Sequence, residues 1–161
     1  MLEKFNPQEI LKIAVAVEEN GRKLYENLEK KAKGQELKQM WKHLKDQEAE
    51  HIKVFEQMLE NLKDYLVVEF NPGEYEGYLK AISFEFVFTR QLIEEKITEG
   101  FSSEVQALNF GIHIEKKSIL VYSALRDYLL QAKQPVLDKV IEEEKKHLIE
   151  LTEFKKRIEE K

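Results

Sequence analysis

The sequence predicts an all-α protein in which four long helices form two helical hairpins joined by a long crossover. Two observations support this fold class. Apolar residues recur at spacings of three and four through four long segments, which is the pattern of amphipathic helices. The segment between the second and third helices is about 40 residues long, enough to run the height of the bundle and to place those two helices parallel to each other.

The first hairpin is predicted over residues 6–62. Its first helix begins at Asn6-Pro7, an N-cap residue followed by a proline at the first helical position, and Gly34 ends it. The second helix starts near Leu37 and carries an apolar stripe as far as Leu62. Because the connecting loop is very short, the two helices are expected to pack as antiparallel neighbours.

The crossover is predicted over residues 63–102 and differs in composition from the hairpins. It contains the turn Asn71-Pro72-Gly73, which is followed by a segment rich in tyrosine and phenylalanine. We predict one short extra helix there, at about residues 75–90. Its aromatic side chains are expected to cover the bundle or a dimer surface rather than to line a substrate pocket.

The second hairpin is predicted over residues 103–161. Ser102 or Ser103 caps its first helix, and Pro135 opens its second. A chain of 161 residues has the size of one domain and can bury a sizeable core. We therefore predict a single domain over residues 1–161.

The composition excludes several kinds of site and partner. There is no cysteine, so any bound metal must be held by oxygen and nitrogen atoms. The net charge is −5, acids and bases are mixed, and no basic stripe is present, which argues against a nucleic-acid partner. No segment has the apolar length of an export signal or a membrane span, so we expect a cytoplasmic protein without a membrane partner.

Two copies of the motif Glu-x-x-His lie on the predicted second and fourth long helices, as Glu48 with His51 and Glu144 with His147. Each pair continues the apolar stripe of its helix, so both pairs point into the bundle. Burying an unpaired carboxylate costs several kcal/mol even after the protein relaxes. A compensating charge is therefore expected beside these residues.

The first and third long helices each add one inward glutamate, Glu18 and Glu115. Seven residues after each glutamate comes a tyrosine, Tyr25 or Tyr122. Both pairs are 97 residues apart and the Glu-x-x-His residues are 96 apart, so the chain repeats one hairpin. The tyrosines are explained equally well as core aromatics or as hydrogen-bond donors to a ligand oxygen, and the repeat favours donors.

Other acids and histidines near these motifs are weaker candidates. Glu19 and Glu143 compete as the inward acids of their helices, but both leave the buried stripe. His43 and His113 have no acid at the matching spacing, so we predict that they lie at the surface or its boundary.

Charge balance suggests what the convergent polar residues bind. Four ionised glutamates carry four negative charges, which two divalent metal ions would neutralise while neutral histidines complete the ligand set. A purely structural polar core is the alternative, and it would leave four acids buried without partners. The candidate ligands are Glu18, Glu48, His51, Glu115, Glu144 and His147.

The combined pattern is Glu-x-x-Gly-x-x-x-Tyr from Glu18, then Glu-x-x-His, then a second round of the same kind. It resembles the rubrerythrin-like branch of the ferritin superfamily and covers all four long helices. The resemblance implies a ferritin-like fold and two iron ions held by the six candidate ligands, with Glu48 and Glu144 between the hairpins and one of them bridging. A manganese pair or a mixed manganese and iron pair also suits these ligands.

Two departures from rubrerythrins accompany this resemblance. Ser118 stands where rubrerythrins carry a further glutamate. Rubrerythrins also carry a cysteine-ligated electron-transfer domain, and with no cysteine in this sequence we expect electrons to come from an external donor protein. Ala49 follows Glu48 where a haem-binding relative has methionine, so no haem is expected.

Three functions follow as hypotheses. The leading one is an oxidoreductase that reduces hydrogen peroxide or dioxygen at a dinuclear iron site, within a homodimer. The first alternative is ferritin-like iron oxidation, storage or handling. The second alternative is a non-catalytic interaction bundle that uses metal only for stability.

Overall fold

The computed structural model describes residues 7–61, 76–127 and 129–161, and it confirms the predicted all-α class. Five α-helices and one short 3-10 helix lie in these ranges: α1, Pro7–Lys31; α2, Gln35–Glu60; α3, Glu76–Glu99; α4, Glu104–Arg126; the 3-10 helix, Gln131–Lys133; and α5, Gln134–Glu159. The predicted cap at Asn6 and the predicted turn Asn71-Pro72-Gly73 fall outside the described residues.

Helices α1 and α2 form the first hairpin. Three residues, 32–34, connect them, and Gly34 is the N-cap of α2, where its backbone carbonyl accepts a hydrogen bond from the amide of Lys38. The buried face of α2 is apolar at both ends and polar at its centre, where Glu48 and His51 are buried. The α1–α2 pair therefore encloses two ionisable side chains in an otherwise apolar interface.

Helices α4 and α5 form the second hairpin. Ser103 is the N-cap of α4, and its hydroxyl accepts a hydrogen bond from the amide of Gln106, as predicted for Ser102 or Ser103. Pro135 lies in the first turn of α5, where a missing amide hydrogen costs nothing. The 3-10 helix precedes α5 directly, so this hairpin has a longer connection than the first.

The helix predicted within the crossover is present and longer than expected. It is α3, which has 24 residues and continues to Glu99 rather than ending near residue 90. Apolar residues keep the helical spacing past the aromatic segment, because Ile93 is buried and Ile97 packs against the core. Gly100 ends the helix with a φ of +80°, a conformation that favours glycine.

The core consists of two apolar clusters with polar residues between them. One cluster includes Leu11, Phe55, Tyr122, Leu125 and Leu137, and the other includes Leu24, Tyr25, Trp41, Leu108 and Leu151. In each of the four bundle helices the polar buried residues lie between the two clusters along the chain. The apolar clusters thus shield the middle of the bundle from water at both ends. Among the described residues, no helix is long and apolar enough to cross a membrane.

Candidate metal centre

All six candidate ligands lie at the middle of the bundle, and none is more than 2% exposed. Helix α1 supplies Glu18, α4 supplies Glu115, and α2 and α5 supply one glutamate and one histidine each. The phase of the apolar stripes accounts for this, because each candidate replaces an apolar residue on the buried face of its helix.

The six residues form two overlapping groups that could each hold one metal ion. The first group contains Glu18, Glu48, His51 and Glu144, and the second contains Glu48, Glu115, Glu144 and His147. Within each group the four potential ligand atoms lie within 4.8 Å of one another. Glu48 and Glu144 belong to both groups, so either carboxylate, or both, could bridge two ions.

Both histidines turn Nδ1 towards the carboxylates. The Nδ1 atom of His51 is 2.7 Å from an oxygen of Glu144 and 3.5 Å from an oxygen of Glu18. The Nδ1 atom of His147 is 3.7 Å from Glu115, 3.8 Å from Glu144 and 3.9 Å from Glu48. The two imidazole rings lie 5.9 Å apart between their centres, and both present the same nitrogen to the cluster.

Several polar atoms at this centre are buried and make no hydrogen bond. They are Glu18 Oε2, Glu48 Oε1, His51 Nδ1, Glu115 Oε2, both carboxylate oxygens of Glu144, and His147 Nδ1. Burying such atoms without partners is costly in an apolar environment. Divalent cations would satisfy all of them at once, so the donor atoms fit a pair of metal ions.

Glu18 and Glu115 each belong to one ligand group only and are called the terminal glutamates. A tyrosine of the opposite hairpin holds each of them. The hydroxyl of Tyr25 donates a hydrogen bond to Oε1 of Glu115, and the hydroxyl of Tyr122 donates one to Oε1 of Glu18. The other oxygen of each glutamate, Oε2, faces the cluster. Burial, together with the adjacent glutamates, raises the pKa of both tyrosines well above its usual value, so both remain protonated donors.

The electrostatics of the centre without a cation favour bound protons. Burial and the neighbouring carboxylates raise the pKa of Glu48, and burial and Glu144 raise the pKa of Glu115 to about 8. Burial opposes a charge on the histidines, but the glutamate carboxylates close to each ring outweigh it and raise the pKa of His51 to about 11 and that of His147 to about 10. Protons therefore compete with metal for this site.

Gly21 creates the space that Glu48 occupies. A Cβ atom at Gly21 would lie 2.5 Å from Oε2 of Glu48, closer than real Cβ contacts allow. The glycine of the Glu-x-x-Gly motif thus lets the Glu48 carboxylate approach α1. Its repeat counterpart, 97 residues later, is Ser118, which is buried and donates a hydrogen bond to the carbonyl of Ile114 in its own helix.

Glu143 has a contact that the sequence did not predict. Its side chain is 28% exposed and lies outside the ligand cluster, but its Oε2 atom is 2.8 Å from Nε2 of His51. The repeat gives no signal for this contact, because the counterpart of Glu143, 96 residues earlier, is Gln47. His43 and His113 are exposed, as predicted, and Glu19 is half-buried outside both ligand groups.

Comparisons with known proteins agree with this geometry. The family model for rubrerythrin matches residues 9–155. A crystal structure of a candidate ferritin-like diiron-carboxylate protein from Thermotoga maritima aligns over 97% of this chain and 98% of its own, with 26% sequence identity and a TM-score of 0.70. No curated protein sequence matches the chain. The chain belongs to the rubrerythrin family of ferritin-like, metal-binding diiron-carboxylate proteins.

Proposed function

We propose that the protein is a non-haem di-iron oxidoreductase that reduces hydrogen peroxide or dioxygen to water with electrons from an external donor protein. One observation carries this proposal: two groups of potential ligands overlap in a buried centre and share Glu48 and Glu144. A structural polar core gives no reason to bury four glutamates and two histidines together with most of their inward atoms lacking a hydrogen bond. A role in the response to oxidative stress is part of the proposal.

The proposed ligands are the six residues of the centre: Glu18, Glu48, His51, Glu115, Glu144 and His147. Their oxygen and nitrogen atoms suit iron, and they also suit manganese or a mixed pair. When bound, two ferrous ions supply the two electrons that convert one peroxide molecule and two protons into two water molecules. The protein would bind and orient the ions and keep bulk water away from this buried centre.

The roles of individual residues follow from their contacts. Glu18 and Glu115 each keep one oxygen on a tyrosine hydroxyl and offer the other to an ion, which limits how far each carboxylate can rotate. Glu48 and Glu144 would be shared by two bound ions, because both belong to each ligand group. Tyr25 and Tyr122 retain their hydroxyl protons, since burial strongly disfavours the phenolate.

Rapid mixing of the anaerobic ferrous protein with hydrogen peroxide, and separately with dioxygen, tests the proposal. We expect oxidation of the bound iron to be much faster than that of free ferrous ion at the same pH. A matched control is Glu50→Ala, because Glu50 is exposed, forms a surface ion pair with Lys53 and lies two residues from Glu48. Glu48→Ala should abolish rapid oxidation, and Glu50→Ala should retain it.

Two results would contradict the proposal and favour the alternatives. Oxidation no faster than that of free ferrous ion, combined with a lower melting temperature on metal removal, indicates a metal-stabilised bundle. Retention of many irons per chain in a large assembly indicates storage. Two irons per chain with rapid peroxide reduction supports the oxidoreductase.

A further inference from the structure

The two histidines of the centre differ on the side that faces away from the carboxylates. Nε2 of His51 lies 2.8 Å from Oε2 of Glu143. For His147, the contacts with acidic oxygens within 4.0 Å among the described residues all involve Nδ1. A carboxylate therefore contacts the outer nitrogen, Nε2, of His51. In the part of the chain that the structure describes, no carboxylate contacts Nε2 of His147.

The internal repeat explains why the support is present once. The Glu-x-x-His residues of the two hairpins are 96 positions apart, and the residue 96 positions before Glu143 is Gln47. Glutamine has the length of glutamate but carries no negative charge. The chain thus repeats all the candidate ligands but has glutamine, not glutamate, at the position that corresponds to Glu143.

A carboxylate on the outer nitrogen changes how well the inner nitrogen binds a metal ion. Nε2 of His51 must carry the proton that it donates to Glu143, which leaves the lone pair on Nδ1 directed at the cluster. Such outer contacts fix the ring and make the ligand more basic, and losing one weakens metal binding by roughly 10–100-fold. Glu144, which both ligand groups share, also lies nearer to His51, at 2.7 Å, than to His147, at 3.8 Å.

We propose that the two metal positions are unequal: the position formed by Glu18 and His51 binds a divalent ion roughly 10–100-fold more tightly than the position formed by Glu115 and His147. Glu143 is the positioning residue responsible for the difference. The inference rests on the dinuclear site of the proposed function. It concerns binding alone and is independent of the reaction that the site carries out.

One-site variants measure the two positions separately. Glu115→Gln disables the His147 position, and Glu18→Gln disables the His51 position; the two substitutions are matched because each removes a terminal glutamate held by a tyrosine. Calorimetric titration of the metal-free variants with Co²⁺ alone should give one ion per chain in each. The dissociation constant should be roughly 10–100-fold lower for Glu115→Gln than for Glu18→Gln.

Glu143→Gln tests whether the carboxylate causes the difference. In the double variant Glu115→Gln/Glu143→Gln, Co²⁺ binding should be weaker than in Glu115→Gln by most of the roughly 10–100-fold difference between the two positions. In Glu18→Gln/Glu143→Gln, binding should differ little from that in Glu18→Gln. Glu142→Gln is the control, because Glu142 is exposed and pairs with Lys145. Circular dichroism melts of the metal-free variants show whether each one is folded.

Gln47→Glu in the otherwise unchanged chain keeps the test valid if a one-site variant fails to fold. It should strengthen the weaker of the two Co²⁺ binding steps and bring the constants closer together. Two equal binding steps in the unchanged protein, unaffected by Glu143→Gln, would overturn the inference and leave the dinuclear site intact. Failure of the unchanged protein to bind any Co²⁺ would instead refute the proposed function.

Discussion

The two hairpins supply equivalent candidate ligands but surround them with different side chains. Each hairpin contributes a terminal glutamate, a Glu-x-x-His pair and a tyrosine that reaches the other hairpin. Among the described residues, however, the aromatic rings that contact these two tyrosines both come from α2. Trp41 stacks on Tyr25 with ring centres 5.6 Å apart, and Phe55 contacts Tyr122 at 4.9 Å.

The matching positions of α5, 96 residues later, are Leu137 and Leu151, both fully buried. Each leucine belongs to the same apolar cluster as the aromatic residue and tyrosine at its end of the bundle. An aromatic residue on one hairpin is therefore matched by a smaller aliphatic one on the other, which keeps the core filled. Metal chemistry constrains the ligands in both halves, whereas packing constrains only the total volume.

The largest expected effect is on the number of bound ions, which should differ between variants of the shared glutamates and variants of the terminal glutamates. Glu48→Ala and Glu144→Ala each remove a residue that belongs to both ligand groups, so we expect both ions to be lost. Glu18→Gln or Glu115→Gln removes a residue of one group, so one ion should remain. Metal analysis of anaerobically purified protein measures this, and two ions bound by Glu48→Ala would exclude a shared role.

The stability of the metal-free protein should fall as the pH rises. The folded-state pKa values of Glu115, His51 and His147 exceed the ordinary values of 4.5 and 6.5, so the folded protein holds protons that the unfolded chain releases. Glu115 adds stability below about pH 4.5 that is lost as the pH rises to about 8, and the histidines add stability that is lost towards about 10 and 11. Each extra proton gives a slope of about −1.4 kcal/mol per pH unit.

Denaturant titrations at several pH values, with and without bound metal, check this expectation. Bound metal replaces the protons. The difference in free energy of unfolding between the metal-bound and the metal-free protein should therefore increase as the pH rises. In the metal-free protein, Glu115→Gln should make the free energy of unfolding fall less steeply between about pH 4.5 and 8, because the Glu115 carboxyl group loses its proton in this range. A metal-free protein that becomes more stable over this range would contradict the assignment.

Tyr25→Phe and Tyr122→Phe test the equivalence of the two halves directly. Each substitution leaves one buried glutamate oxygen without its hydrogen-bond donor, which should lower the free energy of unfolding by about 1–3 kcal/mol. Because the two contacts are equivalent, the two losses should agree. Chemical denaturation measures them, and a loss at only one tyrosine would indicate that the other is a core aromatic alone.

The smallest effect should come from Gly21→Ala, which separates binding from folding. The added methyl group would meet a carboxylate oxygen of Glu48, and that flexible side chain can move away. We expect metal binding to weaken by about tenfold, or about 1.4 kcal/mol, while the metal-free protein gains up to about 1 kcal/mol from the better helix former.

Ser118→Ala is the matched control for Gly21→Ala. Ser118 already carries a side chain and bonds within its own helix, so its loss should affect metal binding by less than about threefold, or roughly 0.6 kcal/mol. Comparing the two variants by metal titration and thermal unfolding sharpens the contrast between the halves. Equal effects would mean that the space beside Glu48 does not matter.

Much of the candidate site could be predicted because helical phase is a local property of the chain. Glu48 and His51 sit in line with apolar residues every three or four positions, so their burial followed from the pattern. Glu143 was harder, because it lies one position off the buried stripe and touches His51 only after the hairpins have docked. The length of α3 was underestimated because the aromatic segment masked a helical pattern that continues to Glu99.

The sequence by itself determined the helical class, the two repeated hairpins and the inward direction of the six polar residues, since spacing along one helix sets the face on which a side chain lies. Only the tertiary structure decided that Glu48 and Glu144 belong to both ligand groups and that each tyrosine reaches the glutamate of the opposite hairpin. Those contacts depend on the separation and relative height of different helices. No periodicity within a single helix encodes these quantities.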